Sequence, residues 1–203
     1  MKKVMFISLL IFLICFGSFA NPNTPFVVLI DAGHGGDDAG NISADGISEK
    51  EITLKLMNFI SEEITKTENI EIRLTRNGDK HVDLKSRSEL SGSADLMISL
   101  HTSLTERPAI RGFEIHIPSE GPHAAYAAAF ADALKTKTAQ MEIPLRSITN
   151  ANFYMLKHTQ CPTVMLSVGM MSNLDDLKLM NDPAYLRQLA VRIAATVREF
   201  AIK

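Results

Sequence analysis

Residues 27–36 read VVLIDAGHGG, an apolar run that ends in a histidine set between glycines. Three of the first four residues are β-branched, which favours a β-strand that is buried on both faces of a sheet. Gly33, Gly35 and Gly36 remove side chains around His34, so a metal ion or a substrate can approach the backbone closely. A lone histidine at a strand end is more often a structural or surface residue. The flanking glycines make His34 a candidate site residue, and the rest of the chain must supply its partners.

The first twenty residues differ from the remainder of the 203-residue chain. Lys2 and Lys3 precede an apolar run over 4–16, and small residues follow up to Ala20. This pattern is typical of a secretory signal peptide over 1–20, cut after Ala20. A retained membrane anchor is the alternative, but the apolar run is short for a membrane span.

The region after the predicted cleavage site has the size and composition of one globular domain. Residues 21–26 form a short leader, and residues 27–203 form the domain. Ile14 stands before Cys15, where a lipoprotein signal would have a small residue, so lipid anchoring is disfavoured. We therefore expect an exported protein of the periplasm or cell envelope.

The charge balance excludes some partners. The chain has 21 Lys and Arg against 23 Asp and Glu, and removal of the signal peptide also removes Lys2 and Lys3. Nucleic acids and anionic membranes require concentrated positive charge, so we expect neither as a partner of the processed chain. Cys161 would be the single remaining cysteine, which excludes an internal disulfide. The oligomeric state is left open.

The hydrophobic pattern predicts an α/β fold in a single domain. Strands separated by amphipathic helices indicate a twisted, mostly parallel but mixed sheet of about six strands, flanked by helices on both faces. After the opening strand, the predicted strands are 70–74, 94–100, 113–117, 153–156 and 163–168. The predicted helices are 48–66 with Ser48 as N-cap, 82–91, 122–137, and 183–200 with Asp182 as N-cap.

Two buried strands are each followed by a histidine, His34 and His101, and Glu49 stands at the start of a helix. Two imidazoles and one carboxylate are a ligand set that zinc accepts, with a fourth position free for water. The alternative is that both histidines bond to backbone while Glu49 complements the helix dipole. Glu51 is a second carboxylate in the same helical turn, and spacing alone leaves the choice between the two open.

Several motifs, taken in chain order, resemble the zinc-dependent N-acetylmuramoyl-L-alanine amidases. They are residues 27–36, Glu49-Lys50-Glu51, Leu74-Thr75-Arg76, Leu84 with Arg87, Ala94-Asp95-Leu96, Ser99-Leu100-His101, Arg111-Gly112, 162–166, Gly169 and Ser172-Asn173. The resemblance covers nearly the whole of the processed chain. It implies hydrolysis of the amide between the lactyl group of N-acetylmuramic acid and L-alanine of the peptidoglycan stem peptide. It also implies Zn²⁺ as cofactor, with His34, Glu49 rather than Glu51, and His101 as ligands.

Position 167 departs from the pattern of the resembled family. Those enzymes carry a catalytic glutamate two residues before the glycine, where this chain has Ser167. A serine hydroxyl is neutral near pH 7 and lacks the basicity to replace it, and loss of a positioned acid–base group typically costs about 10²- to 10⁴-fold in rate. Glu114 and His116 lie on one face of a predicted strand and are possible substitutes. Ser167 as a nucleophile is disfavoured because no glycine elbow accompanies it.

Arg76, Arg87 and Arg146 match family positions and are candidates for binding the acidic stem peptide, with structural ion pairs as the alternative. The segment between His101 and Arg111 is too short for the inserted blocking helix of some family members. The leading hypothesis is an exported zinc-dependent amidase. The alternatives are a catalytically impaired, zinc-containing module that binds peptidoglycan or regulates another hydrolase, and a purely structural domain.

Overall fold

The computed structural model describes residues 24–201, which form one mixed sheet covered by helices. The predicted signal peptide over 1–20 lies outside the described residues, as do the leader positions 21–23. The strands are β1 (Phe26–Ala32), β2 (Ile70–Leu74), β3 (Leu96–Ser103), β4 (Phe113–Pro118), β5 (Leu145–Ala151) and β6 (Thr163–Met170). The helices are α1 (Glu49–Ile64), α2 (Leu84–Leu90), α3 (Ala124–Thr138), α4 (Tyr154–His158), α5 (Leu174–Asn181) and α6 (Pro183–Ala201).

The sheet has the strand order β2-β1-β3-β6-β4-β5. All neighbouring strands are parallel except β4 and β6, which are antiparallel. The carboxyl ends of β1, β3 and β6 therefore lie at the same edge of the sheet as the amino end of β4. The predicted α/β class and mixed sheet of about six strands are confirmed.

Alternating residues of the central strands pack on opposite faces, as the pleat of a strand requires. Ile30 and Ile98 belong to the large core beneath α1, α3 and α6. Leu29 and Met97 belong to a smaller core on the other face, together with Met155 of α4. Helices thus cover both faces, as predicted, although one cover is much thinner than the other. None of the helices within residues 24–201 has both the length and the apolar character needed to cross a bilayer.

One predicted strand is wrong, one strand is missed, and one predicted strand has different bounds. The predicted strand at 153–156 is helix α4, whose Met155 and Leu156 are buried; a short apolar run cannot be assigned to strand or helix by its period. Edge strand β5 was missed because its exposed and half-exposed residues do not alternate between apolar and polar. The strand predicted over 94–100 is β3, which starts at Leu96 and runs through His101 to Ser103.

Of the two predicted N-caps, only Asp182 makes a capping hydrogen bond with its side chain. Ser48 precedes α1 in an extended conformation, but its side chain makes no capping hydrogen bond. Asp182 does cap α6, since its Oδ1 accepts a hydrogen bond from the Ala184 backbone N–H at 2.9 Å. Helix α5, which the sequence pattern missed, is capped by Asn173.

Candidate metal centre

Three side chains from separate elements meet where β1 and β3 end. His34 follows β1, Glu49 begins α1, and His101 lies in β3. One potential ligand atom from each lies within 4.8 Å of the others. Glu51, the alternative carboxylate, is exposed and outside this group. We call His34, Glu49 and His101 the donor cluster.

The carboxylate of Glu49 is the centre of the donor cluster. Its Oε1 lies 3.0 Å from His101 Nδ1, and its Oε2 lies 3.4 Å from His34 Nε2. The backbone N–H groups of Thr102 and Asn41 donate to the same two oxygens, at 2.8 Å and 2.9 Å respectively. Burial alone would raise the pKa of Glu49, but the hydrogen bonds with His101 and His34 outweigh it and hold that pKa well below its usual range. The carboxylate is therefore charged and fixed in position.

His34 is held in an unusual backbone conformation. Its φ is 60°, in the left-handed region that non-glycine residues rarely adopt. The Arg87 guanidinium donates to the His34 carbonyl oxygen at 2.7 Å, and Asp38 Oδ2 lies 2.9 Å from His34 Nδ1. The bond to Glu49 raises the pKa of His34, against the lowering effect of burial. Asp38 engages one ring nitrogen, so the other faces Glu49.

Arg76 and Arg87 are buried inside the protein. Their exposures are 1% and 3%, and their hydrogen bonds go to protein groups. Arg76 Nε donates to the Ala32 carbonyl at 3.0 Å, while Arg87 binds the same carbonyl at 2.6 Å and Asp31 Oδ1 at 2.5 Å. The predicted substrate-binding role does not fit either residue, because these side chains tie down the backbone that leads into the donor cluster. The structural alternative is the one that their burial supports.

Position 167 lies in the middle of the pocket beside the donor cluster. In the sheet, Ser167 pairs with His101 of β3 on one side and Glu114 of β4 on the other. His116 is two residues along β4, and its Nε2 lies 3.4 Å from Ser167 Oγ. Both predicted substitutes therefore line the pocket that contains the donor cluster. β4 neighbours β6 and not β3, so they approach the cluster across Ser167.

Arg146 is the remaining arginine predicted to bind substrate. It lies in β5, and 45% of its side chain is exposed. Its guanidinium pairs with Glu114, which lines the pocket, whereas Arg146 itself is not among the lining residues. Three residues that orient or hydrogen-bond the donor cluster are not indicated by the sequence pattern: Asp38, Asn41 and Thr102. Asp38 follows His34 by four residues in a polar loop, and no signal in the pattern indicates that the loop turns back onto the histidine.

Gly33 lies against the donor cluster, which yields a prediction. A Cβ on Gly33 would lie 2.4 Å from His101 Cε1 and 2.7 Å from the Leu100 carbonyl oxygen. We expect Gly33→Ala to displace the imidazole and weaken metal affinity by about 10- to 100-fold, the usual cost of disturbing the support of a metal ligand. Competition with a chromophoric chelator measures this. Gly78→Ala is the control, because a Cβ added at Gly78 would meet nothing within 4 Å; equal affinities for the two variants would contradict the prediction.

The chain matches a known protein family. The family model described as N-acetylmuramoyl-L-alanine amidase matches residues 28–199. The chain belongs to this family. Among named relatives, the endolysin of Bacillus phage SPP1 is 28% identical over 179 residues, which cover 85% of this chain and 65% of the endolysin. The N-acetylmuramoyl-L-alanine amidase CwlM of Bacillus licheniformis is 29% identical over 171 residues, covering 80% of this chain and 64% of CwlM.

Solved amidase structures share the fold. The catalytic domain of CwlV, an N-acetylmuramoyl-L-alanine amidase from Paenibacillus polymyxa var. colistinus, superposes with a TM-score of 0.79 at 26% identity, covering 86% of this chain and 97% of that domain. An N-acetylmuramoyl-L-alanine amidase from Clostridium difficile 630 gives a TM-score of 0.83 at 23% identity, covering 87% of this chain and 97% of that chain. This amidase-family chain spans about two thirds of the first two relatives and nearly all of the two solved chains.

Proposed function

We propose that this protein is an exported, zinc-dependent amidase that cleaves peptidoglycan between N-acetylmuramic acid and the L-alanine of the stem peptide. The observation that carries the proposal is the donor cluster, located in an open pocket of a chain that matches the amidase family from 28 to 199. Export is supported by the signal-peptide pattern over residues 1–20.

The donor cluster fits zinc by its chemistry. Two imidazole nitrogens and one carboxylate oxygen are the protein ligands of one well-known class of catalytic zinc site, which keeps a fourth position open. Zinc, when bound, supplies a Lewis acid that polarises a carbonyl and makes water more acidic. His34, Glu49 and His101 would hold it. Their fixed orientation, set by Asp38 and by the backbone N–H groups of Asn41 and Thr102, favours binding with little rearrangement.

The pocket also has to accept the substrate. Its lining includes Leu104 and Phe153, which are 52% and 46% exposed, and Glu114, whose carboxylate pairs with Arg146. Apolar surface beside a few polar groups is the usual composition of a ligand site. Arg146 is our candidate for binding a carboxylate of the stem peptide.

The second candidate function is a zinc-containing module that binds peptidoglycan or regulates another hydrolase without cleaving it. Ser167 favours it, because a hydroxyl in the middle of the pocket cannot move a proton as a carboxylate can. Both functions require bound zinc, but only the amidase cleaves peptidoglycan. One assay therefore distinguishes them.

The test uses the processed protein, purified from the cell envelope, with Asn21 expected as its first residue. We expect one zinc per chain and release of stem peptides whose new amino terminus is L-alanine. Removal of zinc by a chelator should abolish release, and added zinc should restore it. Stoichiometric zinc without release would support the binding module instead. Absence of zinc from the folded protein would overturn both proposals.

A further inference from the structure

Hydrolysis of an amide needs a group that takes a proton from water and returns it to the leaving nitrogen. Ser167 cannot do this, and the three donors would be committed to the metal. Among the described residues that line the pocket, the other ionisable side chains are Glu114 and His116. The choice of proton acceptor is therefore between these two.

The oxygens of Glu114 are already engaged. The Arg146 guanidinium pairs with Oε1, which Ser147 Oγ also approaches at 3.5 Å. Ser103 Oγ donates to Oε2 at 3.1 Å. A carboxylate that accepts a charged hydrogen bond and two hydroxyl contacts has few lone pairs left to contact an attacking water.

His116 directs one ring nitrogen into the pocket, towards Ser167. Its Nδ1 lies 2.8 Å from Thr149 Oγ1, and its ring makes a T-shaped contact with Phe153, with centroids 5.2 Å apart. These contacts fix the ring and leave Nε2 directed towards Ser167 Oγ, at 3.4 Å. With its proton on Nδ1, donated to Thr149, the imidazole has a lone pair on Nε2 inside the pocket.

We propose that His116 Nε2 is the general base and acid of the amidase reaction, a role that rests on the proposed function. Water forms a bond to the lactyl carbonyl carbon while its proton passes to His116 Nε2. The carbon–nitrogen bond then breaks, and the same proton moves to the nitrogen of L-alanine, which leaves as an amine. The histidine returns to its starting state.

The surroundings of His116 keep it neutral near pH 7. Burial lowers its pKa, and His101 on β3 acts in the same direction. Glu114, whose Oε2 lies 4.0 Å from His116 Nε2, opposes this, but its charge is shared with Arg146 of β5. β6 presents the neutral Ser167, and Phe153 adds an apolar wall. A neutral imidazole with a lowered pKa is ready to accept a proton at neutral pH.

The first test is His116→Gln in the zinc-loaded protein. We expect kcat to fall by about 10²- to 10⁴-fold, with zinc stoichiometry and KM little changed. His123→Gln is the matched control, because His123 precedes α3 and lines a different pocket, at the carboxyl end of β4. The kcat of this variant should stay within about twofold of the wild-type value. Turnover retained by His116→Gln would overturn the assignment while the proposed function stands. Zinc-loaded wild-type protein without turnover would instead overturn the proposed function.

A second test does not depend on activity. Histidine ¹⁵N NMR of the wild-type protein should show the His116 proton on Nδ1 and a pKa below the usual histidine value. A proton on Nε2 would overturn the proposal even if His116→Gln failed to fold.

Ser167→Glu tests whether His116 already supplies the base that a glutamate at position 167 would supply. Combined with His116→Gln, we expect it to raise kcat by at least about 10-fold over His116→Gln alone, because a carboxylate then supplies the missing base. In the wild-type background it should change turnover by less than about 10-fold, since His116 already acts. A gain of about 10-fold or more in the wild-type background would mean that the wild-type protein lacks an effective proton carrier, and would overturn the assignment.

Discussion

Glu49→Gln is expected to release the metal and to reduce peptidoglycan cleavage by about 10³-fold or more. The change removes the single negative charge of the donor cluster, and its amide group would face hydrogen-bond donors. Both carboxylate oxygens currently accept, from histidines and from the backbone N–H groups of Asn41 and Thr102. A metal that polarises a carbonyl contributes several kcal/mol to the transition state, and about 4 kcal/mol corresponds to 10³-fold in rate.

Glu51→Gln is the matched control for this prediction. Glu51 lies two residues further along α1, is exposed, and does not belong to the donor cluster. Zinc content by atomic absorption and stem-peptide release should both remain at the wild-type level. If Glu49→Gln kept one zinc per chain and full turnover, the donor cluster would not be the metal centre.

Asp31→Asn is expected to lower the free energy of unfolding by about 3–5 kcal/mol, the usual cost of breaking a buried ion pair by removing one partner. Asp31 is 1% exposed and accepts hydrogen bonds from Arg87, from Thr75 Oγ1 at 2.7 Å and from Ser99 Oγ at 2.6 Å. An asparagine would leave the Arg87 guanidinium buried without its counter-charge. Urea unfolding followed by circular dichroism measures the loss.

The effect should extend to the donor cluster, because Arg87 also binds the carbonyls of Ala32 and His34. We therefore expect Asp31→Asn to weaken zinc binding as well as the fold. Glu71→Gln is the control, since Glu71 pairs with Arg73 at a site where both side chains are about 40% exposed. Exposed ion pairs contribute about 0–1 kcal/mol to stability, so Glu71→Gln should leave the free energy of unfolding nearly unchanged. Equal destabilisation by the two substitutions would contradict the prediction.

The sequence predicted those parts of the molecule that depend on local pattern. The β-branched run before His34 and the apolar stripe of α6 follow directly from hydrophobic period. The family resemblance then supplied the grouping of His34 with Glu49 and His101, although Glu49 and His101 are 52 residues apart along the chain. Spacing alone could not choose Glu49 over Glu51; burial of one and exposure of the other distinguishes them.

The remaining features depend on tertiary contacts that no local pattern encodes. Arginine is usually found at the surface, and the burial of Arg76 and Arg87 is explained only by the backbone carbonyls arranged around them. Strand β5 is held as a strand by β4 and carries little β signal of its own. The contact between His116 and Ser167 requires β4 to lie antiparallel beside β6, which the sequence did not predict.

The position of β6 between β3 and β4 has a consequence for how the protein is made. Residues 163–170 join two parts of the sheet that otherwise share no strand pairing, β2-β1-β3 and β4-β5. A growing chain that ends before β6 therefore cannot close the pocket, however well its first strands have paired. Pairing between strands that are distant in sequence also slows folding, because the entropy cost of closing the loop must be met before the strand contacts form. The donor cluster comes wholly from α1, β3 and the segment that follows β1, but we expect the complete pocket, with Ser167 and His116, to form only after residues 163–170 have been synthesised, so that a product truncated before β6 would lack hydrolytic activity.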